Sequence, residues 1–386
     1  MRSSLVSKVD MDQYRKFFPI FEKKSYINSC SYGALSIQVE GAYHEYLRDR
    51  NTKGADWNSW VDRHERVRSL FAKLIGAHTD EIAVTTSASA GLSSIASSLD
   101  FGGIRNKIVT TDLAFPTEAQ NWHAQKTRGA KVAHARVQDG VLDMQHLASL
   151  VDETTLLVAV PLVCYRNGAL TDIQAVCEIA HKAGAFILVD AYQGLGTLPL
   201  DVKEMGIDFL VGGALKYLLS SGGVGFLYVR EDLNQILVPT QTGWFAQTDI
   251  HAMKIHGNEP APNARRFEQG TPPVPNLYAT EAGLQLVLEV GVTEIQSHVR
   301  ELNAVLKAAV FEMGGTLASP VNSDAHSAMV AIKTKNEYEM VSRLAARNVI
   351  TSCRDGNLRV SAHFYNNRAD IAAVIEGLNA NRELLS

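Results

Sequence analysis

Residues 211–230, VGGALKYLLSSGGVGFLYVR, set a single lysine, Lys216, between two apolar runs crowded with glycine. The nearest acidic residue upstream is Asp208, and none follows until Glu231. A lysine buried without a carboxylate is costly unless it is neutral or covalently engaged. The ordinary alternative is a lysine whose stem lies on apolar neighbours while its amine reaches water. The two flanking runs, 209–212 and 225–229, read as strands, and they end a longer series.

That series is 82–85, 107–112, 131–134, 156–162, 186–190, 209–212 and 225–229, with helical stretches between most members. Most of the runs are β-branched and continuous, as in strands covered on both faces. They predict an α/β domain around a mostly parallel sheet of about seven strands. Thr171-Asp-Ile-Gln174 reads as a capping box ahead of a helix, with Gly184 at its C-terminal end. From about residue 277 the texture changes to two long helices (277–290, 293–313). Short strands follow near 328–334, 349–352 and 358–361, with a last helix from Arg368. The expected division is a large α/β domain over 17–257, a connecting loop over 258–276, and a small α+β domain over 277–386 joined by 1–16.

The bulk numbers fit a soluble enzyme. The 386 residues are 46% hydrophobic and 20% charged, with a net charge of −4. No basic balance points to nucleic acid or a polybasic membrane surface, and no apolar run has the ~18 residues of a membrane span. The start, MRSSLVSKVDMDQYRKF, has no apolar core for a secretory signal. Four cysteines (Cys30, Cys164, Cys177, Cys353) without a CxxC, and 12 scattered histidines, predict reduced thiols, no metal site and a cytoplasmic protein.

Ligands of open α/β sheets bind outside the carboxyl ends of the strands. Those ends carry Ser87-Ala88-Ser89, Phe115, Tyr165-Arg166, Asp190 to Gln193, and Lys216. VTTSASAGLSSIA (84–96) reads as strand, small-residue turn and helix, so its first N–H groups can cradle a phosphate; plain N-capping by serine is the bland alternative. No Gly-Lys-Ser/Thr follows, which removes the Walker reading. GLGTLP (194–199) meets a proline where a dinucleotide fingerprint needs a helix. Asp190, ending AFILVD, could cap a helix or bind a ligand. Taken together, the cradle, a carboxylate about 26 residues before a lone lysine, and an aromatic strand end match what pyridoxal 5'-phosphate requires. Its aldehyde needs an amine, and its pyridinium nitrogen needs a carboxylate. As a Schiff base, Lys216 is no longer a buried ammonium.

The chain resembles the class V aminotransferase-fold pyridoxal phosphate enzymes, a fold-type I group that includes cysteine desulfurases, isopenicillin N epimerase-like proteins and kynureninases. The similarity runs from Tyr26-Ile-Asn28 to RVSAHFYNN (359–367). VDAYQGLGTLPLDV resembles the block in which Asp190 meets the pyridine nitrogen and Gln193 the ring hydroxyl. LKYLLSSGGVGFLYV resembles the Schiff-base block, and RRFEQGTPP the loop whose Thr271 reaches the cofactor phosphate of a partner subunit. RVSAHFYN is similar to the segment whose arginine, Arg359, grips the substrate carboxylate. FPTE (115–118), with Phe115 stacked on the ring, and CYRNGALTD (164–172) lean toward kynureninases. The resemblance implies a homodimer acting on a small α-amino acid, with Arg354, Tyr165 and Asn28 on the substrate side.

Departures bear on the reaction. Leu215 stands where many relatives have His or Tyr, Phe115 replaces the desulfurase histidine, and Cys353 lies only six residues before Arg359. Cys353 therefore reads as a small packed thiol. The expected reaction is lyase-type β-elimination (C–S or similar Cβ–X cleavage), with transamination as the alternative, epimerisation and cysteine desulfuration behind it, and a non-catalytic cofactor-binding protein as the contrasting class.

Overall fold

The computed structural model describes residues 10–386; the reading of a missing secretory signal, and the first nine residues of the 1–16 segment, lie outside the described residues. Its central sheet has seven strands: β1 (Ile82–Thr85), β2 (Lys107–Thr111), β3 (Lys131–Ala135), β4 (Thr155–Pro161), β5 (Phe186–Asp190), β6 (Phe209–Gly213) and β7 (Gly225–Val229). Their order is β1-β7-β6-β5-β4-β2-β3. Only β7 runs antiparallel to its neighbours. The α/β expectation holds, with strand bounds within a residue or so of those read from sequence.

Continuous apolar strands arise because both faces are covered. Along β4, Leu157 and Ala159 enter one hydrophobic cluster while Val158 and Val160 enter the other. In β5, Ile187 and Val189 face opposite to Leu188, and all three are buried. The helix expected to be capped by Thr171 starts one residue later. Helix Ile173–Lys182 is capped by Asp172, whose Oδ1 accepts from the Ala175 N–H at 3.0 Å, while the Thr171 hydroxyl is buried without a partner. Asp at the cap satisfies the same orphan donor. Gly184 does follow the helix with φ of 70°.

In the C-terminal part, strands β8 (Met329–Lys333), β9 (Ser352–Arg354) and β10 (Asn357–Ser361) form an antiparallel sheet in the order β8-β10-β9. The preceding helix, Val274–Val290, begins earlier than expected, because Pro275 sits in its first turn, where a missing N–H is harmless. The N-terminal segment crosses to this side. Ser25–Tyr26 pairs in parallel with Val349–Ile350, and Asn28 bridges to Ser361. Residues 28–33 are thereby held between the small sheet and the turn after β6, where the Gly33 N–H donates to the Leu215 carbonyl at 2.9 Å. Among the described residues no helix is long and apolar enough to cross a membrane.

Candidate active site

A cavity of ≈ 340 Å³ opens at the carboxyl ends of β1, β2, β4, β5 and β6. Its wall includes Ser87, Ala88, Ser89, Phe115, Tyr165, Asp190, Gln193 and Lys216, residues from five separate strand ends. Such a volume suits a small-molecule site.

The cradle is built by capping. Ser87 is the N-cap of helix Ala88–Ser98, its Oγ accepting from the Ala90 N–H at 3.1 Å, and its carbonyl accepts from the Gly91 N–H. The bland reading of Ser87 is therefore also true. It leaves the first-turn N–H groups of Ala88 and Ser89, both on the cavity wall, to meet an anion at the positive end of the helix. The close fit needs Gly225 on β7, where a Cβ would fall 2.7–2.8 Å from the Ser87–Ala88 backbone.

Asp190 is buried at the end of β5, and its Oδ1 accepts from the Tyr192 N–H at 2.9 Å. Burial pushes its carboxyl up, with that N–H and Lys216 pulling the other way. Lys216 is half-buried at the cavity. Burial lowers its amine to about 8; Asp190 and Cys30 oppose the shift, while Arg359 and Arg354 add to it. Among the described residues its Nζ has no hydrogen-bond acceptor; it stands 4.4 Å from the Tyr192 ring centroid and 6.0 Å from that of Phe115. An amine held this way is a nucleophile near neutral pH.

Phe115 is 42% exposed to the cavity mouth and meets Tyr165 edge-on with ring centroids 5.0 Å apart. Gln193 donates to the Cys30 carbonyl at 3.0 Å, but its Oε1 is buried without a partner. Arg359 is also buried. Its guanidinium donates to the Tyr165 carbonyl at 2.9 Å and the Ser352 hydroxyl at 3.1 Å, and its Nε is left open. Asn28 carries a further open oxygen, Oδ1. Arg354 is exposed at the end of β9, and Thr271 is exposed outside the cavity of its own chain.

These open groups fit pyridoxal phosphate: an amine for the aldehyde, a buried carboxylate for the ring nitrogen, an amide oxygen for the ring hydroxyl, an exposed aromatic for the ring face and helix N–H groups for the phosphate. Leu215 lines the wall, as its apolar side chain should, and supplies no polar contact.

Three participants escaped the sequence reading. Tyr192 lies inside the quoted Asp190-to-Gln193 segment, and its size there was the available signal. Ser31 lines the cavity from the N-terminal segment. Glu118, inside FPTE, is fully buried; desolvation, with Asp190 adding to it, pushes its carboxyl up to about 8, against a hydrogen bond from the Thr110 hydroxyl at 3.0 Å.

The family model described as Aminotransferase class-V matches residues 38–374. A Bacillus subtilis protein described as an uncharacterized aminotransferase is 36% identical over 372 residues, covering 96% of this chain and 97% of its own. A kynureninase of Geobacillus thermodenitrificans is 26% identical, covering 89% and 85%. The apo structure of a cysteine desulfurase from Thermococcus onnurineus superposes with a TM-score of 0.87 at 22% identity, covering 99% of this chain and 100% of that one.

Proposed function

The chain belongs to the class-V aminotransferase family of pyridoxal-phosphate-dependent enzymes, and on that premise we propose that it removes a β-substituent from a small α-amino acid. Pyridoxal phosphate, when bound, supplies the electron sink that makes the Cα–H bond labile. The chain's own residues do the rest. Ser87, Ala88 and Ser89 would hold the phosphate, Phe115 would cover the ring, Gln193 would take its hydroxyl, and Asp190 would meet its nitrogen. Lys216 would supply the amine for the aldehyde, and its free amine would move the proton at the substrate Cα. Arg359 takes the substrate carboxylate, with Asn28, Tyr165 and Arg354 around the side chain.

The observation that carries this reading is the Lys216 amine, lowered to about 8 on the wall of a cavity that Asp190 also lines. Near neutral pH an appreciable fraction is free base, able to accept a proton from Cα and return one to a leaving group. The second reading, transamination, is favoured by the 36% identical relative described as an aminotransferase. It uses the same residues.

The exposed Thr271 fits a homodimer in which each site borrows this residue from its neighbour, in a cytoplasmic enzyme. The deciding experiment is an amino-acid panel with the purified protein, assayed for ammonia and sulfide with and without an added keto acid. Ammonia without acceptor supports elimination. Product that depends on the acceptor overturns it in favour of transamination.

A further inference from the structure

Lys216 has a cation's need for a partner and, among the described residues, no hydrogen bond to meet it. What it has is a ring. Tyr192 presents its face 4.4 Å from Nζ, inside the range where an ammonium is drawn to an aromatic quadrupole. The ring can lie there because β6 ends in glycine: a Cβ on Gly213 would come within 2.3–2.4 Å of Tyr192 Cε2, Cζ and Oη. No ordinary side chain tolerates that approach. The same residue also fixes the opposite charge, since its N–H holds the Asp190 carboxylate at 2.9 Å.

We propose that Tyr192 is the positioning residue on which the Lys216 amine rests whenever it is not covalently engaged, and that Gly213 exists to admit its ring. This rests on the pyridoxal-phosphate reading of the site. When substrate displaces the lysine, the freed amine must stay within reach of Cα without being tied to an acceptor that would compete for its proton. A ring face does this, because it attracts the ammonium without accepting the proton. Burial, with Asp190 and Tyr32 adding to it, raises the Tyr192 phenol, so it stays neutral and acts through its face. The other groups facing Lys216 are Asp190 after β5, Cys30 in the N-terminal segment, and Arg354 and Arg359 on the β9–β10 hairpin. None of them is altered by a change at Tyr192 that keeps its backbone.

The test reads Lys216 directly. The full-length protein, stripped of cofactor, is treated with limiting trinitrobenzenesulfonate from pH 6.5 to 10. Modification of the Lys216 peptide is then followed by mass spectrometry. The wild-type midpoint should lie at about 8. The ring stabilises the ammonium, so Tyr192→Leu should lower the midpoint by about half to one pH unit, whereas Tyr192→Phe should leave it in place. Gly213→Ala, which pushes the ring aside, should shift it in the same direction. Combined with Tyr192→Leu it should add nothing, as expected of two residues acting through one contact. Should Tyr192→Leu fail to fold by circular dichroism, Tyr192→Met takes its place. An unchanged midpoint in the folded aliphatic variant, or an equal shift in Tyr192→Phe, overturns the proposal. Absence of a visible band when pyridoxal phosphate is added to wild type would instead overturn the cofactor reading, because the labelling involves no cofactor.

Discussion

Arg68 and Lys216 are both cations set among apolar residues with a carboxylate in range, and the protein treats them in opposite ways. Arg68, 1% exposed, is saturated. It pairs with Glu268, donates to the Ile82 carbonyl at 2.6 Å and to Glu65 at 2.9 Å, while Glu268 also accepts from the Val84 N–H at 2.8 Å. Burial works against its charge, but Glu268 and Glu65 outweigh that and hold its pKa above the ordinary arginine value. This cluster clamps the loop carrying Gln269, Gly270 and Thr271 to β1. Lys216 makes no such bonds, and its amine falls to about 8. Buried charge whose own nitrogens all meet partners is architecture, even though Glu268 keeps one oxygen, Oε2, open. A half-buried charge left open, on a cavity wall that also carries the orphaned Gln193 oxygen, is equipment for a ligand.

The largest expected effect comes from the open cation. Lys216→Ala should fold normally and lose turnover, by about 10²–10⁴-fold from proton transfer alone. Borohydride treatment of the wild-type holoenzyme should fix the cofactor on a peptide containing Lys216. Cofactor fixed on another lysine would put the chemistry elsewhere and end the contrast with Arg68.

The closed cation should answer on the other axis. Arg68→Met leaves Glu268 buried and unpaired, and denaturant melts should show a loss of about 3–5 kcal/mol. Adding Glu268→Leu should return much of it, since removing both partners leaves no stranded charge. A single variant as stable as wild type would mean that the cluster is ornamental.

Glu118 lies between the two, buried beside the site with one oxygen bonded and Oε2 open. Its folded carboxyl keeps its proton up to about pH 8, against an ordinary value of 4.5. Between those limits the folded state binds a proton that the unfolded chain has lost, so this contribution to stability is present at low pH and falls as pH rises to about 8. Glu118→Gln removes the dependence. Its melting temperature should gain on wild type across that window, by more than about 2 °C at its upper end, and level off above. A gap that does not change with pH would show that Glu118 titrates normally.

Most of the sheet, and several residues of the cavity wall, were legible, because the strands are apolar runs and some of them stop at or shortly before a Ser, Asp or Lys, as at Ser87, Asp190 and Lys216. The cap at Asp172 was missed by one residue because Thr171 and Asp172 are both good capping residues, and only the backbone angle chooses between them. Tyr192 and Glu118 sit inside recognisable segments but carry no local mark of their roles. Their roles depend on what lies opposite, a glycine at the end of the neighbouring strand in one case and Asp190 in the other, and a single chain does not display such neighbours. Arg359 was named through family resemblance alone; it is buried on β10, outside the lining of the cavity that carries Lys216.

Cys353 should give the smallest effect. A sulfur-transferring enzyme needs a thiolate on a segment able to reach the substrate. Here Cys353 is half-buried in the three-residue strand β9, paired across from Leu358 in an antiparallel hairpin. Burial, with Glu337 adding to it, raises its thiol, while Arg354 and Arg359 pull the other way. The net direction is toward the unreactive form. Two conditions for sulfur transfer, reach and ionisation, are both disfavoured by the strand that holds the residue. Cys353→Ser should therefore keep activity to within about twofold, as surface-distant conservative changes do, and no persulfide should accumulate on the protein during turnover. If the variant binds cofactor with a normal visible band yet releases no sulfide, elimination is the wrong chemistry. The Cys353 thiol would then be a third, covalent example of the open group that Lys216 represents.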